Sequence, residues 1–208
     1  PRFKPQDVSK GRFTVGYSDT NYQLLIEIIT QVTKLSFQEA LDKYIILPLQ
    51  LTQTTLPRGE KEKSTASVWL NNDVLDEKPQ AIASFHDLNS TLRDLTRFMR
   101  ALIHNEVFEH PGTFELMASQ WQRFGFGFNP LTPGWPIQYG RGMMRFQMPR
   151  LLSGFKGLPP VIGHTGATGS WLFYCQEHEL IFAGTVSQAT CASAPYRVIP
   201  SLLKSLHP

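Results

Sequence analysis

Two short stretches hold the residue types that could support acyl-transfer chemistry. Residues 17–19 (Tyr-Ser-Asp) stand just before an apolar helical pattern, and residues 164–169 (His-Thr-Gly-Ala-Thr-Gly) end an apolar strand pattern. A phenol and an imidazole can move protons, and a hydroxyl or backbone N–H can bind a carboxylate or an oxyanion. Each stretch alone also fits a structural role, a helix N-terminus for the first and a glycine-rich strand connection for the second.

The two stretches, taken in order, resemble two of the three motifs of the penicillin-recognising serine hydrolases. These motifs are S-x-x-K, then Y-x-N or S-x-N, then K-T-G or H-T-G. The resemblance is to the branch of class C β-lactamases, D-alanyl-D-alanine carboxypeptidases and related esterases. It runs from about Phe3 to Leu206 and includes residues 17–25, 48–54, 90–95 and 163–170. It implies an α+β fold of the β-lactamase/DD-peptidase type, no cofactor, and cleavage of an amide or ester through an acyl-enzyme.

The resemblance also implies a role for each matched residue. Tyr17 would share a proton with the nucleophilic serine, and His164 could supply positive charge beside it. That charge would fade as the pH rises past about 6.5, unless neighbours raise the pKa of His164. Thr165 would contact the substrate, and the backbone N–H of Ala167 would be an oxyanion donor. Gly166 would let the substrate lie against the strand edge.

Asp19 departs from the family pattern, which usually has Asn at this position. An amide can donate a hydrogen bond to a substrate carbonyl, whereas an ionised carboxylate can only accept one. The negative charge of Asp19 would also oppose a lowered pKa at Tyr17. Alternatively, Asp19 would pair with the lysine of S-x-x-K. The substitution therefore argues against β-lactam hydrolysis in particular.

The S-x-x-K motif is expected well upstream of Tyr17, where this chain has only sixteen residues. Two S-x-x-K strings occur further on, beginning at Ser153 and Ser201. The nucleophile should open a helix that faces the cleft, but Ser153 lies in a Gly- and Pro-rich stretch and Ser201 follows Pro200 inside a terminal helix. We therefore interpret both strings as accidental and expect the nucleophile outside this chain.

The first half of the chain reads as helices that would carry the first motif. Residues 21–32 place Leu and Ile on one face, the pattern of a packed helix. Ser36 and Glu39 form a capping box that should open a helix towards Tyr44. A third helix should begin after Thr91 and extend to Ile103, and a short fourth should cover residues 114–121. Residues 51–85 show weak periodicity and indicate a long surface excursion.

After about residue 122 the pattern becomes that of strands and would carry the second motif. Residues 124–128 and 138–147 alternate, and residues 161–165, 170–175 and 180–187 form three short apolar runs. The last two runs flank a polar turn at residues 176–179 and predict an antiparallel hairpin. Residues 196–206 predict a terminal helix. We therefore expect an α+β fold in which residues 1–121 are part of a helical subdomain and 122–208 the C-terminal part of a sheet subdomain.

Composition excludes several other classes of function. Twenty Lys and Arg oppose 17 Asp and Glu and are scattered, so no basic stripe for nucleic acid is present. No apolar stretch approaches the ~20 residues of a transmembrane segment. Cys175 and Cys191 do not form a disulfide framework, and the six histidines show no metal spacing, so no metal site is expected.

Two functions from different classes remain open. The first is a serine hydrolase of the carboxypeptidase, esterase or β-lactamase type, whose upstream segment or second chain completes the sheet at the open edge of strand 180–187. In that case this chain alone would be inactive on its small-molecule or peptide substrate. The second is a catalytically silent binding protein that keeps the fold. Location stays open: periplasmic or secreted if peptidoglycan is the substrate, cytoplasmic if the protein is an esterase.

Overall fold

The computed structural model describes residues 18–57, 65–75, 87–124, 135, 137–155 and 157–206. Tyr17 and most of the predicted strand at 124–128 lie outside these ranges. Within them the chain forms helices followed by an antiparallel sheet and a last helix, which confirms the α+β prediction. The helices are α1 (Asp19–Thr33), α2 (Phe37–Leu41), α3 (Leu92–Ile103), α4 (Thr113–Met117) and α5 (Pro195–Ser205).

The N-terminal signals of α2 and α3 are confirmed. The Ser36 hydroxyl accepts from the Glu39 N–H at 3.2 Å, and the Glu39 carboxylate accepts from the Ser36 N–H at 2.8 Å. The helix then continues as a π-helical turn, Asp42–Ile46. Thr91 caps α3 by accepting from the Asp94 N–H at 3.3 Å. The fourth helix is shorter than predicted and ends at Met117.

Helix α1 forms where predicted, but its apolar face is not packed. Ser18 is its N-cap and Asp19 its first residue. None of its side chains is buried, and Ile28 is 56% exposed. The interpretation of this face as a packed one is therefore wrong for the residues that the structure describes, because none of them covers it. The other exposed apolar side chains of α1 are Tyr22, Leu24, Leu25, Ile29 and Val32.

A buried carboxylate ties the chain after α2 to the start of α3. Asp94 accepts from the Gln53 N–H and from the Thr54 hydroxyl, both at 2.9 Å, and is itself only 4% exposed. The Thr54 hydroxyl is also 2.8 Å from that of Ser90. Further along, the predicted excursion contains a short hairpin of β1 (Trp69–Leu70) and β2 (Asp73–Val74).

Among the described residues, six strands form one antiparallel sheet, where sequence predicted three well-defined apolar strands and two weaker alternating stretches. Its order is β3-β4-β5-β6-β7-β8. The stretch predicted at 138–147 is divided by a turn at residues 140–143 into two strands of a hairpin, β4 and β5. Strand β8 ends two residues earlier than predicted and lies at one edge. The strands are β3 (Gln122–Arg123), β4 (Gln138–Tyr139), β5 (Met144–Phe146), β6 (Val161–Thr165), β7 (Ser170–Cys175) and β8 (Leu180–Thr185).

The sheet buries apolar side chains on both faces. On one face α5 packs through Tyr196, whose ring meets Phe146 edge-on at 4.9 Å between centroids. On the other face α3 packs through Met99 and Leu102, which contact a cluster that includes Tyr174. Because strand residues alternate between faces, β6 contributes Val161 to the first core and Ile162 to the second.

Neither a helix that could span a membrane nor a disulfide occurs in the described ranges. None of their helices combines the length and apolar character of a membrane span. Cys175 is buried and Cys191 exposed, and both are free thiols. In these ranges no three His, Cys, Asp or Glu residues are grouped so as to hold a metal ion.

Candidate active site

Strand β6 and the turn after it carry the second motif to one end of the sheet. His164 and Thr165 are the last residues of β6, and the turn is closed by Gly166 N–H donating to Ser170 O at 2.8 Å and Gly169 N–H donating to Gly166 O at 3.1 Å. Ala167, between those two glycines, is exposed. Pairing of β6 with β5 ends at Gly163, whereas pairing with β7 continues through Thr165.

Close backbone approach explains the glycines on either side of His164. A Cβ on Gly163 would overlap the carbonyl oxygen of Leu172 and lie 2.7 Å from the Phe173 Cα, and one on Gly166 would overlap the Ser170 hydroxyl. Gly169 has a φ of +84°, and a Cβ there would lie 2.8 Å from the Gln188 carbonyl oxygen. These contacts hold the motif strand and its turn in one geometry.

The hydrogen bond of His164 determines which ring nitrogen carries the proton. Nδ1 lies 2.7 Å from the carbonyl oxygen of Thr165, and a carbonyl can only accept. Nδ1 is therefore the N–H donor. In the neutral ring Nε2 is then an acceptor, which is the form able to receive a proton. The ring also meets Tyr139 edge-on, with 5.8 Å between centroids.

Burial lowers the pKa of His164 below its ordinary value of 6.5. The bond to the Thr165 carbonyl and the negative charge of Asp19 both raise the pKa but do not outweigh the burial. The imidazole is therefore mostly neutral at pH 7. This result opposes the sequence-based hypothesis that His164 supplies positive charge, because that hypothesis needed neighbours strong enough to raise the pKa.

The negative charge of Asp19 raises the pKa of His164, so the fold brings the start of α1 near the end of β6, about 145 residues away in sequence. Asp19 is exposed at the start of α1 and also raises the pKa of Tyr22 and of Asp87, in both cases in addition to a larger effect of desolvation. Asp87 lies in the segment that precedes α3 and was not singled out from sequence. This end of the site is consequently acidic.

Thr165 is supported from the α5 side of the sheet. The Tyr196 hydroxyl donates to the Met144 sulfur at 3.4 Å and is also hydrogen-bonded to the Thr165 side chain. Burial raises the pKa of Tyr196 to about 12, and the bond to Thr165 only partly offsets it. The phenol is therefore neutral at any physiological pH. Sequence reasoning missed Tyr196, because an aromatic residue in a terminal helix gives no sign of its partner.

Neither S-x-x-K string is built as a nucleophile. Ser153 ends a 3₁₀ turn (Arg150–Ser153), is 4% exposed, and its hydroxyl donates to the Arg150 carbonyl at 3.0 Å. Ser201 is exposed in the middle of α5, and the ammonium group of Lys204 donates to the Leu152 carbonyl at 3.2 Å. Neither serine thus lies at a helix N-terminus, where the nucleophile was expected.

The β1–β2 hairpin supports the far side of the motif turn, and sequence gave no sign of this either. The Trp69 N–H donates to Ser187 O at 2.8 Å, and the Gln188 side chain exchanges two hydrogen bonds with the Asn71 backbone, at 3.0 and 3.1 Å. Gln188 in turn lies against Gly169. A segment about 100 residues distant in sequence thus fixes the turn.

Comparison with known sequences gives the family. The Beta-lactamase family profile matches residues 6–197, which is most of the chain. This chain belongs to the beta-lactamase family. No match was found among curated protein sequences. The family match confirms the resemblance on which the roles of His164 and Thr165 were predicted.

Solved structures with a similar fold include two amide-cleaving proteins and a penicillin-binding protein homologue. The chain is 24% identical to a D-stereospecific amidohydrolase from Streptomyces sp., with a TM-score of 0.65, over 86% of this chain and 52% of that one. It is 19% identical to a D-amino acid amidase from Ochrobactrum anthropi SV3, with a TM-score of 0.68, over 93% and 58%. It is 20% identical to an octameric penicillin-binding protein homologue from Pyrococcus abyssi, with a TM-score of 0.59, over 88% of this chain and 42% of that one. The chain thus spans only about half the length of the structures it matches.

Proposed function

We propose that this chain is the C-terminal portion of a serine hydrolase that cleaves an amide through an acyl-enzyme, and that its nucleophile lies upstream. The observation that carries the proposal is that Asp19, the last residue of the first motif, lies near enough to His164 for its charge to raise the pKa of that ring. The family match supports it, and so do two structural neighbours that are named as an amidohydrolase and an amidase.

His164 acts in this proposal as a neutral acceptor rather than as a cation. Its Nδ1–H is held by the Thr165 carbonyl, so Nε2 is the nitrogen able to accept a hydrogen bond. Tyr17, two residues before Asp19, would take the serine proton during attack while its own phenolic proton passes along a hydrogen bond to Nε2. The positive charge that lowers the pKa of Tyr17 must then come from the lysine of S-x-x-K.

The motif turn would bind the reacting carbonyl. The Ala167 N–H would point at the developing oxyanion, together with the N–H of the upstream serine. The substrate backbone would lie along β6 past the end of β5, where Gly166 leaves space. Thr165, whose hydroxyl is held by Tyr196, would contact the substrate carboxyl or carbonyl group.

The acidic end of the site favours a substrate with a positive charge next to the scissile amide. Asp19 and Asp87 are close enough for the charge of Asp19 to raise the pKa of Asp87, so a cation placed between them would be stabilised. The α-ammonium group of an amino acid amide has this charge, and a β-lactam with an acylated amine does not. We therefore place amino acid amides ahead of β-lactams.

The experiment compares two substrates that differ only in this charge, D-phenylalanine amide and 3-phenylpropionamide. In the full-length protein, Asp19→Asn should raise KM for the first about tenfold, the loss expected for one charge-assisted hydrogen bond, and leave KM for the second unchanged. Asp73→Asn, at an exposed position in β2, is the control. Equal KM changes for both substrates would contradict ammonium recognition, and a loss of kcat for both would instead favour pairing of Asp19 with the lysine.

The second candidate is a binding protein that keeps the fold without a nucleophile. Its support is that neither Ser153 nor Ser201 is placed for attack. A fluorophosphonate or labelled penicillin separates the candidates, because only an activated serine is acylated. The hydrolase proposal requires labelling of the full-length protein, and a full-length protein that resists both reagents would favour the binding protein.

A further inference from the structure

A turn at the opposite end of the sheet presents three large apolar side chains to solvent. It follows β5 and contains the 3₁₀ turn Arg150–Ser153. Leu151 is 72% exposed, Leu152 52% and Phe155 77%. Isolated exposed leucines are common, but three large apolar side chains within five residues form a contiguous apolar projection, which we call the apolar turn.

Hydrogen bonds fix the backbone of the apolar turn. The N–H groups of Leu152 and Ser153 donate to Pro149 O at 2.9 and 3.1 Å, and the Phe155 N–H donates to Arg150 O at 2.7 Å. Phe155 has a φ of +63°, a left-handed conformation that is unfavourable for a bulky side chain. The turn therefore holds Phe155 outward at an energetic cost, which points to a use for the exposed ring.

Basic side chains flank the apolar turn, and the acidic residues Glu177 and Glu179 lie across the same end of the sheet, in the turn between β7 and β8. Arg150 is within the turn and exposed, and the Lys204 ammonium donates to the Leu152 carbonyl at 3.2 Å. Arg197 precedes Lys204 by two helical turns and lies on the same face of α5. No Asp or Glu occurs between Glu115 and Glu177.

The apolar turn is remote from the candidate site and from the open edge of the sheet. Strand β6 begins after this turn and ends at His164, so its length separates the two. The edge strand β8 lies two strands away from β6. A strand added at β8 would therefore not lie beside the apolar turn.

We propose that the apolar turn docks on an anionic lipid bilayer, with the candidate site directed away from the membrane. Side chains of Leu and Phe enter the boundary between headgroups and acyl chains, while the flanking Arg and Lys attract anionic headgroups. A protein partner fits less well, because three side chains on one convex turn are far too few for the about 1,000 Å² that a specific interface buries. Charge complementarity and the small projecting shape thus both favour a lipid surface.

Co-sedimentation of the full-length protein with vesicles tests this proposal. We expect binding to phosphatidylcholine vesicles that contain phosphatidylserine, weaker binding to phosphatidylcholine alone, and a decrease as salt is added. Replacing Leu151, Leu152 and Phe155 together by Ser should weaken binding at least about tenfold, since most of the inserted apolar surface is removed. Leu116→Ser, at a similarly exposed position in α4, is the matched control and should bind as the unchanged protein does.

A second variant keeps the test independent of the triple substitution. Arg150→Glu with Arg197→Glu should reduce binding to the anionic vesicles only. Absence of binding by the unchanged protein, or binding that neither variant alters, would overturn the proposal. The proposal would also be overturned if the unchanged protein bound no vesicles and light scattering showed that the triple variant had changed from a dimer to a monomer. Amide hydrolysis in solution should be unchanged in both variants, which separates this proposal from that of the function.

Discussion

At the scale of single residues, the chemistry depends on the environment of His164. A histidine in this motif could be a cation or a neutral base. Burial favours the neutral ring, and the Thr165 carbonyl fixes which nitrogen of that ring carries the proton. Because burial has the larger effect, the pKa falls and the neutral ring predominates at pH 7. The neutral form, with Nε2 as acceptor, is the one our proposal uses.

The pH dependence of acylation follows from this direction of shift. If neutral His164 is required, the rate of labelling by a fluorophosphonate should fall only below pH 6.5, as the ring becomes protonated. Asp19 raises the pKa of His164, so Asp19→Asn should move this acid limb to still lower pH. Rate–pH profiles of the two full-length proteins test this, with Asp73→Asn as control. A limb that moves to higher pH in Asp19→Asn would contradict the account.

The sequence could reveal the residue types of the site but not their environments. Tyr17, Asp19 and His164 were predicted from the motifs of the family whose profile the chain matches, and their roles stay predictions. The neutral state of His164, the contribution of Asp87 and the support from Tyr196 were not predictable. They depend on burial and on contacts between residues that are distant in sequence.

At the scale of elements, the close packing of β6 against β7 positions the motif. A Cβ on Gly163 would overlap the Leu172 carbonyl, so Gly163→Ala should separate the strands beside His164. We expect a loss of about 3 kcal/mol in the free energy of unfolding, together with a loss of activity.

Gly154→Ala is the matched control for this prediction. Gly154 has a φ of +72°, but a Cβ there meets no atom within 4 Å, so only the left-handed conformation is penalised, at about 1 kcal/mol. Urea denaturation of both variants gives the comparison. Equal losses in the two variants would mean that the close approach of β6 and β7 does not matter.

The carboxylate of Asp94 should matter for stability in the same way. Asp94→Ala leaves the buried Thr54 hydroxyl and the Gln53 N–H without their acceptor, so we expect a loss of about 3 kcal/mol in the free energy of unfolding. The exposed Asp73→Ala should change it by less than about 0.5 kcal/mol. Thermal or urea unfolding measures both, and a near-neutral Asp94→Ala would show that the network is not stabilising.

Helix starts could be predicted where the sequence signal comes from residues close together in the chain. Strand pairing could not, because it depends on residues far apart in the chain. The capping box at Ser36 and the cap at Thr91 depend on side chains three residues apart, and both are present as predicted. The division of residues 138–147 into two strands, and the pairing of β1 with β2, depend on hydrogen bonds across the fold. Sequence periodicity does not contain that information.

At the scale of the whole molecule, the exposed face of α1 indicates missing contacts. Its period of 3.6 residues is that of a packed helix, yet Ile28 is 56% exposed in the described structure. The chain also spans only 52% and 58% of two amide-cleaving structural neighbours. We infer that upstream polypeptide covers this face, in the same chain or from a second one.

A charged substitution on α1 tests this inference. Ile28→Glu should lower the free energy of unfolding of the full-length protein by about 3 kcal/mol, because a charge would be buried. In the 208-residue chain the same change should have little effect. The control is Leu92→Glu, at an exposed position of α3, which should be mild in both. Equal, small effects of Ile28→Glu in both proteins would show that nothing covers the face.

Our central proposal is that this chain supplies half of a serine hydrolase site whose nucleophile lies upstream. Its most direct test is to label the full-length protein with a fluorophosphonate and to locate the adduct by peptide mass spectrometry, beside a Tyr17→Phe variant. We predict an adduct on a serine that precedes Pro1, none within these 208 residues, and labelling slowed at least about 100-fold in Tyr17→Phe. An adduct on Ser153 or Ser201, or an unchanged labelling rate in Tyr17→Phe, would contradict the account.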